Sequence, residues 1–147
     1  MKAVVQRVDQ AAVSVGDRTV GEIGHGALVY LSIAPTDTPE TVSRMASKLA
    51  ELALFPDEHD RISRSVANEG HGLLLVSQFT LHADLAKVRR PSFLGAARPE
   101  IARERYEQLI RVLRERAIQV ETGEFGAHMA VESVNDGPVT FLLEIDE

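Results

Sequence analysis

The segment from Ser77 to Asp84 carries the residue types of a nucleophilic site: hydroxyls, an amide, an imidazole and a carboxylate. It directly follows the apolar run 73–76, so these groups should lie where a buried strand reaches solvent, a common place for a ligand site. A Ser/His/Asp or Thr/His/Asp triad is disfavoured, because neighbours on an extended chain point to opposite faces and no Gly-x-Ser-x-Gly elbow is present. The alternative is a polar strand end whose hydroxyls bond the local backbone.

A basic stretch from Ala86 to Arg98 has four cationic side chains and no acid, in a chain whose formal net charge is −6. The negative total argues against a protein that coats nucleic acid non-specifically, so DNA is not an expected partner and any RNA contact must be local. Lys87, Arg89 and Arg90 therefore have two interpretations. They contact an RNA backbone beside the polar segment, or they belong to a solvated loop.

The tetrapeptide Asn135–Pro138 separates two apolar runs, 129–134 and 139–145. Asp-Gly between such runs is a hairpin signal, and the proline that follows removes a backbone donor and restricts the glycine. The residues alone therefore predict two strands joined by a tight turn.

Metal and cysteine chemistry are not expected. The chain has no cysteine, which excludes disulfides, thiolate zinc sites and a cysteine nucleophile. The histidines show neither His-x-x-x-His nor paired-carboxylate spacing, so no metal site and no cofactor are predicted. These histidines are His25, His59, His71, His82 and His128.

The elements that must position these segments are mostly strands. Alternation of apolar and polar residues around Gly16-Asp17 predicts a hairpin of two early strands. The β-branched run 27–33 predicts a strand buried on both faces, and the run 73–76 a second one. Further strands are expected over 118–120, 129–134 and 139–145.

Two helices are predicted, the first capped by Thr38 and the second starting at Pro99. The order strands, helix, strand, helix, strands predicts a single α/β domain over residues 1–147, with a largely β core and two main helices on one side. Each helix has one apolar stripe at three- and four-residue spacing. The stripes are Val42, Met45, Ala46, Leu49 and Ala53 in the first helix, and Ala102, Tyr106, Leu109, Ile110, Leu113 and Ala117 in the second.

The sequence also predicts a cytoplasmic protein without a membrane partner. No apolar run approaches the roughly 20 residues that a helix needs to cross a bilayer. The opening residues 1–8 carry charge within a short apolar stretch and show no cleavage pattern. They therefore predict a first strand and not a signal peptide.

Two motifs, Ser77-Gln78-Phe79-Thr80 and Asn135-Asp136-Gly137-Pro138-Val139-Thr140, together resemble the motif pair of the D-aminoacyl-tRNA deacylase family. The departures from the family pattern are His82 and Val88, where tyrosine and glycine are expected, and Ile62-Ser63 in place of Met-Asn. The resemblance extends over the whole chain, because further segments fit in the same order: 3–8, 89–97 and 123–129.

The resemblance implies a homodimer of three-layer β/β/α subunits that hydrolyses D-aminoacyl-tRNA and glycyl-tRNA. In such a dimer the Gly137–Pro138 bond is cis, Arg7 holds this dipeptide in place, and the pair enters the partner's pocket. The two carbonyl groups crowd the α-carbon of the substrate, so that an L side chain is rejected whereas a hydrogen or a D side chain fits.

The same resemblance implies RNA-assisted catalysis by the segment Ser77–Thr80. An aminoacyl ester is already activated, so positioning and a donor for the developing oxyanion are the main requirements. Backbone N–H groups near Phe79 and Thr80 supply that donor, and the 2′-hydroxyl of the terminal adenosine activates the water. The residues implied for the pocket near the adenine are Phe125, Ala127 and Met129, and Phe125 can stack on the base.

Two alternatives stay open. A related deacylase with a trans Gly-Pro bond would act on an L-amino acid attached to a mismatched tRNA. Gln6-Arg7 beside Asn135–Pro138 favours the cis form. A non-catalytic RNA- or DNA-binding dimer would keep the fold, and the intact motifs argue against it.

Overall fold

The computed structural model describes residues 1–86 and 89–146. Within them the chain begins with the strands β1 (Lys2–Val15), β2 (Arg18–Ile23) and β3 (Gly26–Ser32), followed by the helix α1 (Pro39–Glu51). A small hairpin, β4 (Phe55–Pro56) and β5 (Ile62–Arg64), and the short helix α2 (Val66–Glu69) lead to β6 (Gly72–Ser77). The remaining elements are a 3-10 helix (Phe79–His82), α3 (Pro99–Glu115), β7 (Gln119–Thr122) and β8 (Ala130–Glu144).

The long strand β1 organises the sheet, because it pairs antiparallel with β2, β3 and β8. Its residues 2–8 lie beside β3 and its residues 11–15 beside β2, while β8 runs along its other edge. Then β6 and β7 extend the sheet in parallel to β3, in the order β2-β1-β3-β6-β7. Parallel neighbours need crossovers, and two right-handed crossovers in the same direction place α1 and α3 on the same face. The predicted early hairpin and the two buried strands are confirmed.

Side chains of the central strands alternate between two cores. Val29 of β3 packs in the core that also contains residues of α1 and α3, whereas Leu28 and Leu74 pack in a second core with residues of β1 and β2. The strand β2 approaches β7 so closely that a Cβ on Gly21 would lie 2.2 Å from the carbonyl oxygen of Thr122. The sheet therefore curls into a nearly closed barrel, and the three-layer β/β/α arrangement is confirmed.

Both helices form where the sequence predicts them. The hydroxyl of Thr38 accepts the N–H of Thr41 at 3.3 Å, and the hydroxyl of Thr41 accepts the N–H of Thr38 at 3.1 Å. Two end positions of the predicted stripes are wrong, because α1 ends before Ala53 and α3 ends before Ala117. Ala117 is exposed and has a φ of 61°, since the chain turns there towards β7. Across the described ranges, no helix has the length and apolar character needed to cross a membrane.

The predicted hairpin at Asn135–Pro138 is also wrong. The strand β8 pairs with β1 on both sides of the tetrapeptide: Asn135 lies opposite Val8, and Thr140 opposite Gln6. Residues 136–139 of β8 therefore face only Arg7, which makes this region a bulge in one continuous strand. The Asp-Gly signal is local, whereas the apolar patterns on both sides fix the register with β1, and this long-range pairing prevails.

Candidate active site

A cavity of about 540 Å³ lies where β3 and β6 end, next to the 3-10 helix and the first turn of α3. Because β3 and β6 are parallel, their carboxyl ends reach the same edge of the sheet, where Leu31 lies opposite Ser77. Most of the wall is apolar, with a few polar groups at the strand ends, as in many ligand sites. The predicted residues that line this cavity are Ser77, Gln78, Phe79, Phe125, Ala127 and Met129.

The polar segment after β6 is fixed to the neighbouring strand. The backbone N–H of Gln78 donates to the carbonyl oxygen of Leu31 at 2.7 Å. The side-chain amide of Gln78 donates to the hydroxyl of Thr80. Thr80 is exposed and, unlike Ser77, Gln78 and Phe79, does not line the cavity. The structure thus brings three residues of this motif to the wall and leaves the fourth outside it.

A polar pair lies behind this segment. Ser32 is 1 % exposed, and its hydroxyl oxygen lies 2.5 Å from Nδ1 of His82 and 3.3 Å from the carbonyl oxygen of Phe79. The carboxylate of Asp84 accepts the backbone N–H of Ala86 at 2.9 Å. His82 therefore faces a residue of β3, and the segment does not form the Ser/His/Asp arrangement that its composition suggests.

The environment of His82 disfavours its charged form. Burial lowers the pKa of the imidazole below its usual 6.5, and the positive charges of the N-terminal amine and Lys2 lower it further. The carboxylates of Asp37 and Glu144 act in the opposite direction with smaller effect. The imidazole is therefore neutral at pH 7, with a hydrogen on only one of its two ring nitrogens.

Phe125 is held in place from two sides. The guanidinium carbon of Arg103 lies 4.9 Å from the ring centroid of Phe125, and the ring of Tyr106 lies 5.8 Å from it. Tyr106 is itself fixed, because its hydroxyl donates to the carbonyl oxygen of Leu75 at 2.7 Å. Burial raises the pKa of Tyr106 well above 10, so the hydroxyl stays a donor. Phe125 also lines the cavity, and an aromatic ring at such a place can stack on a nucleobase.

The bulge in β8 exposes Gly137 and Pro138, and neither of them lines the cavity of its own chain. Their peptide bond is cis, as the resemblance implies, and Gly137 has a φ of 123°, a region that favours glycine. Nε of Arg7 lies 3.1 Å from the side-chain carboxylate of Asp136. It also donates to the backbone carbonyl oxygen of Asp136 at 3.3 Å. Another guanidinium nitrogen of Arg7 donates to the carbonyl oxygen of Leu54 at 2.8 Å. Arg7 thus ties the bulge to the body of the subunit.

The basic stretch lies in the loop between the 3-10 helix and α3, where Arg89 and Arg90 are exposed. Two backbone hydrogen bonds between Asp84 and Ser92, of 2.8 and 3.0 Å, close the base of this loop. Lys87 lies outside the described residues, as does Val88. A contact between these cations and phosphate groups stays a prediction.

A larger depression of about 710 Å³ lies among β1, β2 and β8. In contrast to the basic loop, it is acidic. Its wall includes the carboxylates of Asp9, Glu22 and Glu132. Negative charge of this kind repels a polyanion such as RNA. Among residues 1–86 and 89–146, no three His, Cys, Asp or Glu side chains are grouped so that they could hold a metal ion.

Sequence reasoning missed several residues of the cavity wall, among them Ser32, Phe93 and Ala102. Ala102 belongs to the apolar stripe of α3, and Phe93 packs edge-to-face on Phe79 with ring centroids 5.0 Å apart. Neither an apolar helical stripe nor a contact between two aromatic rings distinguishes a residue of a cavity wall from a residue of an ordinary core. Ser32 offered one signal, because a hydroxyl at the end of an apolar run must find a hydrogen-bond partner when it is buried.

Comparison with known proteins identifies relatives over the full chain. The family model described as D-Tyr-tRNA(Tyr) deacylase matches residues 4–144. A D-aminoacyl-tRNA deacylase of Herpetosiphon aurantiacus is 46% identical over 147 residues, which are 100% of this chain and 96% of the relative. A D-aminoacyl-tRNA deacylase of Xanthomonas campestris pv. campestris is 51% identical over 144 residues, which are 97% of this chain and 99% of the relative.

Two solved structures have the same fold. The first is described as a c-Myc DNA unwinding element binding protein. Its TM-score is 0.94 at 39% identity, and the match covers 100% of each chain. The other, described as a probable eukaryotic D-amino acid tRNA deacylase, has a TM-score of 0.87 and covers 98% of each chain, and its 17% identity shows the fold alone. Since the family match includes both the polar segment after β6 and the bulge in β8, this chain is an enzyme that belongs to the D-Tyr-tRNA(Tyr) deacylase family.

Proposed function

We propose that the chain is a tRNA-editing hydrolase that cleaves the ester of D-aminoacyl-tRNA and releases free amino acid and tRNA. The observation that carries this proposal is the single cavity that the polar residues Ser77 and Gln78 share with the aromatic ring of Phe125. The polar end suits an acyl group, and the aromatic end suits a terminal adenosine. Family membership supports the same assignment. The proposal includes a cytoplasmic location, because charged tRNA is used there.

Catalysis in this proposal needs no side chain as nucleophile. Backbone N–H groups near Phe79 and Thr80 stabilise the developing oxyanion, and the 2′-hydroxyl of the terminal adenosine activates the attacking water. Two contacts support this view. The hydroxyl of Thr80 is occupied by the amide of Gln78 and lies outside the cavity wall. The imidazole of His82 faces Ser32 and is therefore not placed to act as the base that Thr80 would need as a nucleophile.

Chirality is set, in this proposal, by Gly137 and Pro138 of a second copy of the chain. Their carbonyl groups crowd the α-carbon of the bound ester, so that an L side chain is rejected while a D side chain or the hydrogen of glycine fits. The support is the exposure of this pair on a bulge that Arg7 anchors. Phe141 and Leu142 expose apolar surface on the same strand, 37% and 76% respectively, which a partner subunit would cover.

A deacylation assay with three substrates tests the function. We expect D-tyrosyl-tRNA and glycyl-tRNA to be hydrolysed and L-tyrosyl-tRNA to be spared, and sedimentation analysis to show a dimer. Arg7→Ala should free the bulge and reduce the preference for D over L, whereas Arg111→Ala, at an exposed position of α3, should not. Equal rates on D- and L-tyrosyl-tRNA would contradict the chirality gate. Hydrolysis of the L-ester alone would favour the related deacylase with the other specificity.

A second candidate function is nucleic-acid binding without catalysis. It is favoured by the 39% identical structure described as a DNA unwinding element binding protein. The formal net charge of −6 and the acidic depression disfavour it, because DNA is a polyanion. The same assay separates the two functions: a chain that binds duplex DNA tightly and leaves D-tyrosyl-tRNA intact would have the second function.

A further inference from the structure

The pair formed by the buried Ser32 and the half-buried His82 takes no part in the proposed chemistry, yet it contacts the segment that does. Ser32 ends β3, and His82 ends the 3-10 helix, so two distant parts of the chain meet here. The hydroxyl oxygen of Ser32 lies within hydrogen-bond distance of both Nδ1 of His82 and the carbonyl oxygen of Phe79, at 2.5 and 3.3 Å. The pair therefore adjoins the polar segment at the cavity, where Ser32 is itself part of the wall.

The number of hydrogens selects the direction of these two bonds. A serine hydroxyl has one hydrogen to donate, and a carbonyl oxygen can only accept. If Ser32 donates to Nδ1 of His82, its contact with the carbonyl of Phe79 has no hydrogen. Both contacts are hydrogen bonds only when Nδ1–H of His82 donates to Ser32 and Ser32 donates to Phe79. In the reverse arrangement a lone pair of the Ser32 oxygen would face a lone pair of the Phe79 carbonyl oxygen, and such an unpaired contact is unfavourable away from water.

The carbonyl of Phe79 and the N–H of Thr80 belong to one planar peptide group and point in opposite directions. A hydrogen bond that fixes the carbonyl therefore also fixes the N–H. We propose that Ser32 and His82 are positioning residues: the chain of donors from His82 through Ser32 to the carbonyl of Phe79 fixes the peptide group that carries the N–H of Thr80, one of the groups assigned above to the developing oxyanion. This inference rests on the proposed deacylase function.

A serine beside an imidazole also resembles a nucleophile and its base. Two observations favour the positioning role. Ser32 is 1 % exposed, so an incoming ester carbonyl has little access to its oxygen. In addition, the pairing inferred above directs its hydrogen to the carbonyl of Phe79 and not to the ring nitrogen that would have to remove it.

Single-turnover hydrolysis of D-tyrosyl-tRNA tests the inference with four variants. Ser32→Ala and His82→Leu break the chain of donors, and we expect the rate constant at saturating enzyme to fall about tenfold while the half-saturating enzyme concentration changes less than about twofold. His82→Asn should recover most of the rate lost in His82→Leu, because the asparagine N–H can replace Nδ1–H. Ser43→Ala is the matched control, since Ser43 donates to the carbonyl of Pro39 on the surface of α1.

An unchanged rate constant in Ser32→Ala, or a change confined to half-saturation, would overturn the positioning role. An acyl group trapped on Ser32 would make it the nucleophile instead. A measurement without substrate keeps the two proposals separate. Nitrogen-15 NMR of the wild-type protein should show the hydrogen of His82 on Nδ1, and Ser32→Ala should shift the amide nitrogen of Thr80 while Ser43→Ala does not. A hydrogen on Nε2 alone overturns the pairing whatever the activity, whereas an inactive wild-type enzyme overturns the deacylase function.

Discussion

Two cavities of this subunit differ in size and in chemistry, and the smaller of these two is the candidate active site. The depression of about 710 Å³ lies among antiparallel strands and includes Asp9, Glu22 and Glu132. The cavity of about 540 Å³ lies at the carboxyl ends of two parallel strands and combines a polar segment with an aromatic ring. Volume therefore does not decide which of the two is the candidate site. The sign of the nearby charge and the convergence of strand ends favour the smaller cavity.

The largest expected effect comes from changing the substrate at the smaller cavity. A D-tyrosyl-tRNA that ends in 2′-deoxyadenosine should lose nearly all turnover, because it lacks the hydroxyl that we propose activates the water. Thr80→Ala should cost roughly tenfold or less, about 1.4 kcal/mol of barrier. Single-turnover rates of both changes in one assay make the comparison. An inactive Thr80→Ala enzyme, or an acyl-threonine detected by mass spectrometry, would restore Thr80 as the nucleophile.

The aromatic end of the same cavity should contribute to binding. Stacking of a base on an aromatic side chain is worth about 1–3 kcal/mol, so Phe125→Ala should weaken binding of the charged tRNA by roughly five- to 150-fold. Phe125→Tyr keeps a ring for stacking and serves as the matched variant. The half-saturating enzyme concentration in single-turnover assays measures the effect. If Phe125→Ala binds like the wild type, the adenosine does not occupy this end of the cavity.

A smaller effect is expected at the basic loop. Arg90→Ala should weaken tRNA binding and reduce the slope of log affinity against log salt by about one unit, because one phosphate contact is lost. The ratio of D to L hydrolysis should stay the same. Arg111→Ala on α3 is the control for a charge change elsewhere. Unchanged affinity and slope in Arg90→Ala would show that the loop is only solvated.

The smallest effect is expected in the acidic depression. Glu132→Gln removes one carboxylate from its wall without changing the size of the side chain. Hydrolysis of D-tyrosyl-tRNA should stay within about twofold of the wild type, because changes at exposed positions away from a site are usually small. A tenfold loss would instead show that the depression takes part in the reaction, and the contrast between the two cavities would fail.

The sequence predicts well those elements whose signals are local. The first helix could be placed because Thr38 caps it and its apolar stripe has helical spacing. The strands β3 and β6 could be placed because each is an apolar run that directly follows a Gly-His-Gly segment. By contrast, the region of Asn135–Pro138 has a strong hairpin signal and nevertheless lies within one strand. Its structure depends on pairing with residues more than a hundred positions away in the chain, which a local pattern does not contain.

The candidate site was predictable only in part, for a related reason. The motif pair indicated Ser77, Gln78 and Phe79, and the structure places them in the wall of one cavity. The roles of these residues stay predictions. Ser32 and Ala102 look like ordinary members of a strand and a helix, and only the packing of β3 against α3 brings them to the cavity. Thr80 belongs to the motif, but the turn of the 3-10 helix directs it to the outside.

The bulge in β8 also interrupts an open edge of the sheet. This strand lies at the edge of the sheet and exposes Val134, Phe141 and Leu142, and long edge strands of this kind recruit strands from other unfolded or misfolded chains. The bulge divides the paired part into two short stretches, 130–135 and 140–144. Between them Pro138 has no N–H to offer to an added strand. A variant with a regular strand here would present an uninterrupted row of unpaired backbone N–H and C=O groups. We expect such a variant to form insoluble assemblies during expression.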